Sequence, residues 1–299
     1  MNVGKRMKEK KEGFTLIELS LSITFIAVLS LAVALIITNS ISAYHRGLVL
    51  NQINTTGMEL VDDMRAAVQN TAVSSPKRAC ETWFEDGSDN AAACRVSDGQ
   101  DLVAARKNTD VSIGEIERDD VPIVGVFCTG NYSYIWNSGY FYSEDAEVNE
   151  NMSEATFRYR NANGDIITYN KRIRLLKVKD EKRAVCAAFG EVSDRNEIDI
   201  SGERYGMVLT EEPIELLSDN SNLALYDLFA PSPAINATVN NTYYSVSFVL
   251  GTLQGGADVT AQGSYCATPE GLDNSTIENF DYCAINKFNF AAQAIGGGE

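Results

Sequence analysis

Histidine is nearly missing from this sequence: among 299 residues there is one, His45. A single imidazole excludes a multi-histidine zinc site. Its place near the N-terminus argues against a Ser-His-Asp triad in the rest of the chain. H-E-x-x-H, C-x-x-C, G-x-S-x-G, the phosphate-binding P-loop and G-x-G-x-x-G are absent too. Proline is scarce, with 6 in all and none before Pro76, so nothing forces a helix to end over the first quarter of the chain. Positive charge is also short. Lys+Arg number 25 against 41 Asp+Glu, for a net charge of −16 and a pI of about 4.5. A chain this acidic repels nucleic acid and anionic surfaces non-specifically, and no nucleic-acid partner is expected.

Apolar side chains are not lacking. They make up 44% of the sequence and support a sizeable core. They also form one continuous run, Phe14 to Ile37, interrupted by a single charge, Glu18. As a helix this run spans about 36 Å, against roughly 30 Å of bilayer hydrocarbon. Lys5, Arg6, Lys8, Lys10 and Lys11 precede it, with only Glu9 and Glu12 against them. The positive-inside rule keeps that basic end in the cytoplasm and sends everything beyond about residue 40 outward. All six cysteines, Cys80, Cys94, Cys128, Cys186, Cys266 and Cys283, fall on the outward side. An even count in an exported domain predicts three disulfides, with buried free thiols as the alternative. Pairing of near neighbours gives Cys80–Cys94 and Cys266–Cys283 and leaves Cys128–Cys186.

Glu18 is the informative residue. A charge inside a membrane-length segment is costly. A secretory signal peptide fits the basic start, but its apolar core is only about 7–15 residues and ends at a small-residue cleavage site. A plain anchor explains length and orientation, yet neither the glutamate nor the glycine before the run. The stretch KEGFTLIELSLSITFIAVLSLAVAL, residues 11 to 35, closely resembles the class III signal of type IV pilins and pseudopilins. The resemblance implies a leader of residues 1–13, cut between Gly13 and Phe14 by a prepilin peptidase, and N-methylation of Phe14. It makes Glu18 the fifth residue of the mature chain, the family's glutamate position. It further implies that Glu18 pairs in the filament with the Phe14 amine of a neighbouring subunit, setting register. The bland alternative is that Glu18 only neutralises the amine of its own chain. One departure stands out: many pilins carry a proline at the place of Leu35, and here the proline-linked kink is missing.

The same resemblance sets the expected architecture. The fold class is α+β, a long N-terminal helix packed on an antiparallel β-sheet head. Residues 14–38 form the membrane or filament-core part, 39–72 an amphipathic continuation and 73–299 an outer β-rich domain. Ile41, Tyr44, Leu48, Ile53, Leu60, Met64 and Val68 recur at helical spacing, weakened by Gly47 and Gly57, with Asp62, Asp63 and Arg65 facing away. This stripe reads as core packing, and no cofactor is implied.

In the outer part VPIVGVFC, 121–128, reads as a buried strand, and YSYIW with YFY, 132–142, as a hairpin around NSG. TFRYR and DIITYNKRIRLLKV, 156–178, form a hairpin on NANG. TYYSVSFVL, 242–250, alternates, and FNF, 288–290, closes the sheet. Two lobes meeting near 195–210 remain open. DGSDN and SDGQD, 86–101, miss the EF-hand spacing and read as acidic solvated loops rather than a metal site. The aromatics at 132–142 read as core, with an adhesive surface as the alternative.

The chain is therefore expected to be a structural subunit, not an enzyme. Its implied partners are membrane lipid before assembly, the prepilin peptidase, an inner-membrane assembly platform and other pilin subunits. Its expected location is the cytoplasmic membrane first and the cell surface afterwards. Its length exceeds that of a bulk filament subunit, which favours a minor pilin. The alternatives are a pseudopilin of a secretion or DNA-uptake machine and an anchored ectodomain that binds a surface ligand or hydrolyses glycan.

Overall fold

A computed structural model of the chain describes residues 15–69, 103–108, 111–113, 116–118, 121–139, 146–147, 154–190, 197–217, 222–230, 242–252 and 284–294. Two compact units divide the chain, Met1–Gly47 and Leu48–Glu299. The fold class is α+β, with a long apolar N-terminal helix and, among the described residues, strand pairs that are antiparallel in every case but one.

Helix α1 runs Leu16–Gln69 without interruption, as a segment free of proline should. In the first unit it is apolar and exposed all round. Leu16–Ile41 is long and apolar enough to cross a membrane and has none of its residues buried. Its hydroxyls turn inward. Ser20, Ser22 and Thr24 donate to the carbonyls of Ile17, Glu18 and Ser20 at 2.9, 2.7 and 3.0 Å. Bonds of this kind let polar side chains sit in an apolar helix without unpaired donors.

The second unit holds the rest of α1, the strands β1 (Val103–Asn108), β2 (Val111–Ile113), β3 (Ile116–Arg118), β4 (Val121–Cys128), β5 (Tyr132–Asn137), β6 (Ala146–Glu147), β7 (Thr156–Arg160), β8 (Ile166–Tyr169) and β9 (Leu175–Lys179), then the short helix α2 (Ala184–Gly190), β10 (Glu197–Asp199), β11 (Ile214–Glu215), β12 (Leu223–Phe229), β13 (Thr242–Thr252) and β14 (Ile285–Ala294). The main sheet has the order β1-β4-β5-β9-β11, and three-stranded sheets have the orders β10-β7-β8, β12-β13-β14 and β3-β2-β6.

Alternation along the central strands fixes two cores, one on each face of the main sheet. Ile135, Leu176 and Val178 join a cluster with α2, Phe157 and Ile198. Tyr134, Trp136 and Leu175 join a second cluster with Ile53, Leu60, Met64 and Val68 of α1 and Phe248, Phe288 and Phe290 of the β12–β14 sheet. Burial on both faces explains why VPIVGVFC is a continuous apolar run.

Several expectations need correction. Both edges of β5 are occupied, by β4 and β9, and residues 140–142 lie outside the described residues. The hairpin is instead β4–β5, closed by Gly130 and Asn131, with the Thr129 amide donating to the Tyr132 carbonyl at 2.9 Å. Gly130 has φ 101°, which a two-residue hairpin turn of the primed types demands. The NANG hairpin forms between β7 and β8, with Gly164 at φ 88° and the Asn161 carboxamide accepting from the amides of Asn163 and Asp165. Its second arm is shorter than expected. Residues 170–174 leave the β7–β8 sheet, and 175–179 become β9 in the main sheet. β10 runs parallel to β7, a pairing with no local turn to announce it. FNF lies in β14, antiparallel to β13.

The helical stripe is also shorter. Ile53, Leu60, Met64 and Val68 are buried, whereas Ile41, Tyr44 and Leu48 are about half exposed or more. The glycine that weakened the pattern serves the packing. A Cβ on Gly57 would overlap the ring of Phe288 in β14. Gly57→Leu is expected to destabilise the folded chain by about 1–3 kcal/mol through overpacking, against a helix-propensity gain of about 1 kcal/mol. A lowered thermal midpoint of the full-length protein in detergent checks this; a raised one means that the ring moves aside freely.

Candidate functional site

The N-terminal turn of α1 is the first place where the sequence put chemistry. Gly13 and Phe14 lie outside the described residues; Thr15 and Glu18 lie within them. The Thr15 amide and hydroxyl each donate to Glu18 Oε2 at 2.9 Å. The Glu18 amide in turn faces Thr15 Oγ1 at 3.3 Å. This is a reciprocal capping box: Thr15 is the N-cap, Glu18 sits three residues on, and two orphan amides of the first turn are satisfied. The signature T-x-x-E, Thr15 to Glu18, is the sequence signal of this cap, a role the reading of Glu18 as a lone charge leaves out. The box explains how a carboxylate is tolerated at the head of an apolar helix. It also folds the carboxylate back toward the main chain of residue 15, one residue from Phe14.

The second unit contains the polar groups that hold α1 on the sheet. Asp63, expected to face away, does not. Its Oδ1 accepts from Lys177 Nζ at 2.5 Å, and its Oδ2 from the Tyr134 hydroxyl at 2.8 Å. The Lys177 ammonium lies 4.4 Å from the centre of the Tyr132 ring. Burial, reinforced by the Asp63 charge, pushes the Tyr134 phenol well above its ordinary range, so it stays a neutral donor. Nothing in a linear sequence pairs residue 63 with residue 177. Tyr134 and Trp136 are fully buried, so these two aromatics belong to the core and form no adhesive surface.

A third cluster lies on the other face of the sheet. Cys128 at the end of β4 and Cys186 in α2 form a disulfide with a Cα–Cα distance of 6.1 Å. Cys80, Cys94, Cys266 and Cys283 lie outside the described residues, as do the acidic loops at 86–101. Beside the disulfide Ser133 Oγ lies 2.7 Å from Asp180 Oδ2 and 3.0 Å from Cys186 Sγ. Burial pushes Asp180 up to about 6, although the Ser133 hydroxyl and the amides of Val185, Ala184 and Cys186 pull the other way. Glu215 on β11 is likewise pushed up to about 6 by burial. It accepts from the Leu175 amide at 2.7 Å and the Arg174 amide at 3.2 Å, tying the edge of the main sheet.

No protein-family model matches this chain, and no curated protein or solved structure does so either.

Proposed function

We propose that the chain is a type IV pilin-like structural subunit, of the minor class, that is anchored, processed and assembled through the start of α1. The observation that carries this reading is the placement of Glu18. It is the lone charge of a membrane-length helix, held at the third helical position by Thr15, directly behind a basic leader that ends in Gly13. The helix around it has no burial among the described residues, which suits covering by lipid or by neighbouring subunits. On this reading a prepilin peptidase cuts between Gly13 and Phe14, and Phe14 is then N-methylated. An inner-membrane assembly platform passes the helix from lipid to the filament. There Glu18 exchanges its contacts within the first turn for the amine of a neighbouring Phe14. The β-rich unit faces outward as the subunit's head.

Terminal mass spectrometry on material sheared from the cell surface tests the reading. The expected result is a peptide beginning at N-methylated Phe14. A methylated terminus confined to membranes would favour a pseudopilin. An uncut Met1, or a cut near Ala43, would overturn the assignment and leave an anchored or secreted ectodomain.

A further inference from the structure

The polar cluster beside the disulfide is more than a satisfied pocket. Cys128, Ser133, Asp180 and Cys186 are each 2% exposed or less. Ser133 stands between a carboxylate and a sulfur, 2.7 Å from one and 3.0 Å from the other. Asp180 uses one oxygen for everything. Oδ2 faces the Ser133 hydroxyl and the amides of Val185 and Cys186 at 3.1 and 3.4 Å, while the buried Oδ1 has no partner among the described residues. A buried carboxylate with an unused oxygen is costly to keep, and the cost calls for a role.

We propose that Asp180 and Ser133 form a proton relay that closes the Cys128–Cys186 disulfide as the head folds. In the dithiol form the Cys186 thiol donates to Ser133 Oγ, and the Ser133 hydroxyl donates to Asp180 Oδ2. The thiol proton moves to Ser133 as the serine proton moves to Asp180, leaving a thiolate on Cys186 and a neutral Asp180 acid. The thiolate attacks the Cys128 sulfur of a mixed disulfide that Cys128 has formed with a small disulfide oxidant. The Cys128–Cys186 bond forms, the bond to the oxidant sulfur breaks, and the departing thiolate takes a proton from water. Asp180 then returns its proton to solvent. With glutathione disulfide as oxidant, two protein thiols become one disulfide and two glutathione molecules are released as thiols.

The surroundings suit the task. Burial makes the Asp180 carboxylate a stronger base than an exposed one and removes the charge once it is protonated, so it does not oppose the new thiolate. Nearby charges are directed elsewhere. Lys179 at the end of β9 pairs with Glu211 and Glu181, and Lys182 in the following turn donates to the Gly206 carbonyl. The sequences of β4, β5 and α2 contain no charged side chain.

The test is oxidative refolding of the full-length chain in detergent. Reduced, denatured protein is diluted into glutathione disulfide, quenched with acid, alkylated and mapped by peptide mass spectrometry. At pH 7, Ser133→Ala and Asp180→Asn are expected to slow appearance of the Cys128–Cys186 peptide by about tenfold or more. Oxidation of Cys80, Cys94, Cys266 and Cys283 in the same samples should keep its wild-type rate. Ser133→Thr, which keeps the hydroxyl, should restore closure. The wild-type rate should rise as pH increases through about 6, where Asp180 ionises, and Asp180→Asn should lack that step. Unchanged closure in both variants overturns the relay. So does equal slowing of all six cysteines, which would mark a general folding defect.

Discussion

If the chain is the proposed filament subunit, Glu18→Ala is expected to lower incorporation into sheared surface filaments by about tenfold or more, with membrane level and cleavage after Gly13 unchanged. The loss has two physical sources that a second variant separates. Alanine removes both the charge and the acceptor of the capping box at Thr15. Glu18→Gln removes only the charge, because a carboxamide still accepts the Thr15 amide and hydroxyl. If the intersubunit partner is the cationic Phe14 amine, Glu18→Gln assembles as poorly as Glu18→Ala, since an amine brought out of water without a counter-charge is strongly disfavoured. If glutamine assembles like the wild type, the residue acts as a cap and the pairing account fails. Normal incorporation of Glu18→Ala would sink both. Quantitative immunoblots of sheared and membrane fractions supply the measurement.

The second large effect lies in the head. Trp136→Ala is expected to destabilise the folded chain by about 3–5 kcal/mol. Trp136 is fully buried in the middle of the main sheet, and its indole rests on Gly125, its cross-strand partner in β4. A Cβ on Gly125 would overlap that indole, so the two positions form one shape. Truncation opens a cavity among Tyr134, Leu175 and the α1 residues of the same cluster, which strands hydrogen-bonded on both edges are poorly able to close. Trp136→Phe should cost roughly half as much or less. It keeps most of the contact area and deletes Nε1, a buried donor with no partner among the described residues. For a unit of this size the alanine variant should lower the thermal midpoint by about 6–20 °C in circular dichroism. A change of less than about 1 kcal/mol would mean that the core refills the space.

What the sequence disclosed follows the range of the interactions concerned. α1 was legible because a proline-free apolar run admits little else. The β7–β8 hairpin was legible because Asn161 and Gly164 carry a turn in four residues. The β4–β5 hairpin was misread although its turn is as short: Gly130–Asn131 follows the apolar run VPIVGVFC and precedes the aromatic stretch YSYIW, and NSG downstream offers a competing glycine turn. The Thr15 cap was legible and overlooked. Asp63 could not be placed, because its partners Tyr134 and Lys177 are 71 and 114 residues away. The parallel β10–β7 pair and the Ser133–Asp180–Cys186 cluster likewise depend on elements brought together only by the fold.

The contact of α1 with β14 sets a timetable for synthesis. Asn54 and Asn286 share a hydrogen bond at 2.7 Å across 232 positions of sequence, and Phe288 fills the notch at Gly57. At ribosomal rates of about 5–20 residues per second, β14 is made on the order of 10 to 50 seconds after the helix segment it covers. Over that interval Ile53, Leu60 and Met64 lack the aromatic strand that completes their cluster. The nascent second unit therefore passes through an unclosed stage, with late-forming contacts of very high sequence separation and correspondingly slow folding. Its exposure to aggregation and proteolysis is greatest before the last strand arrives.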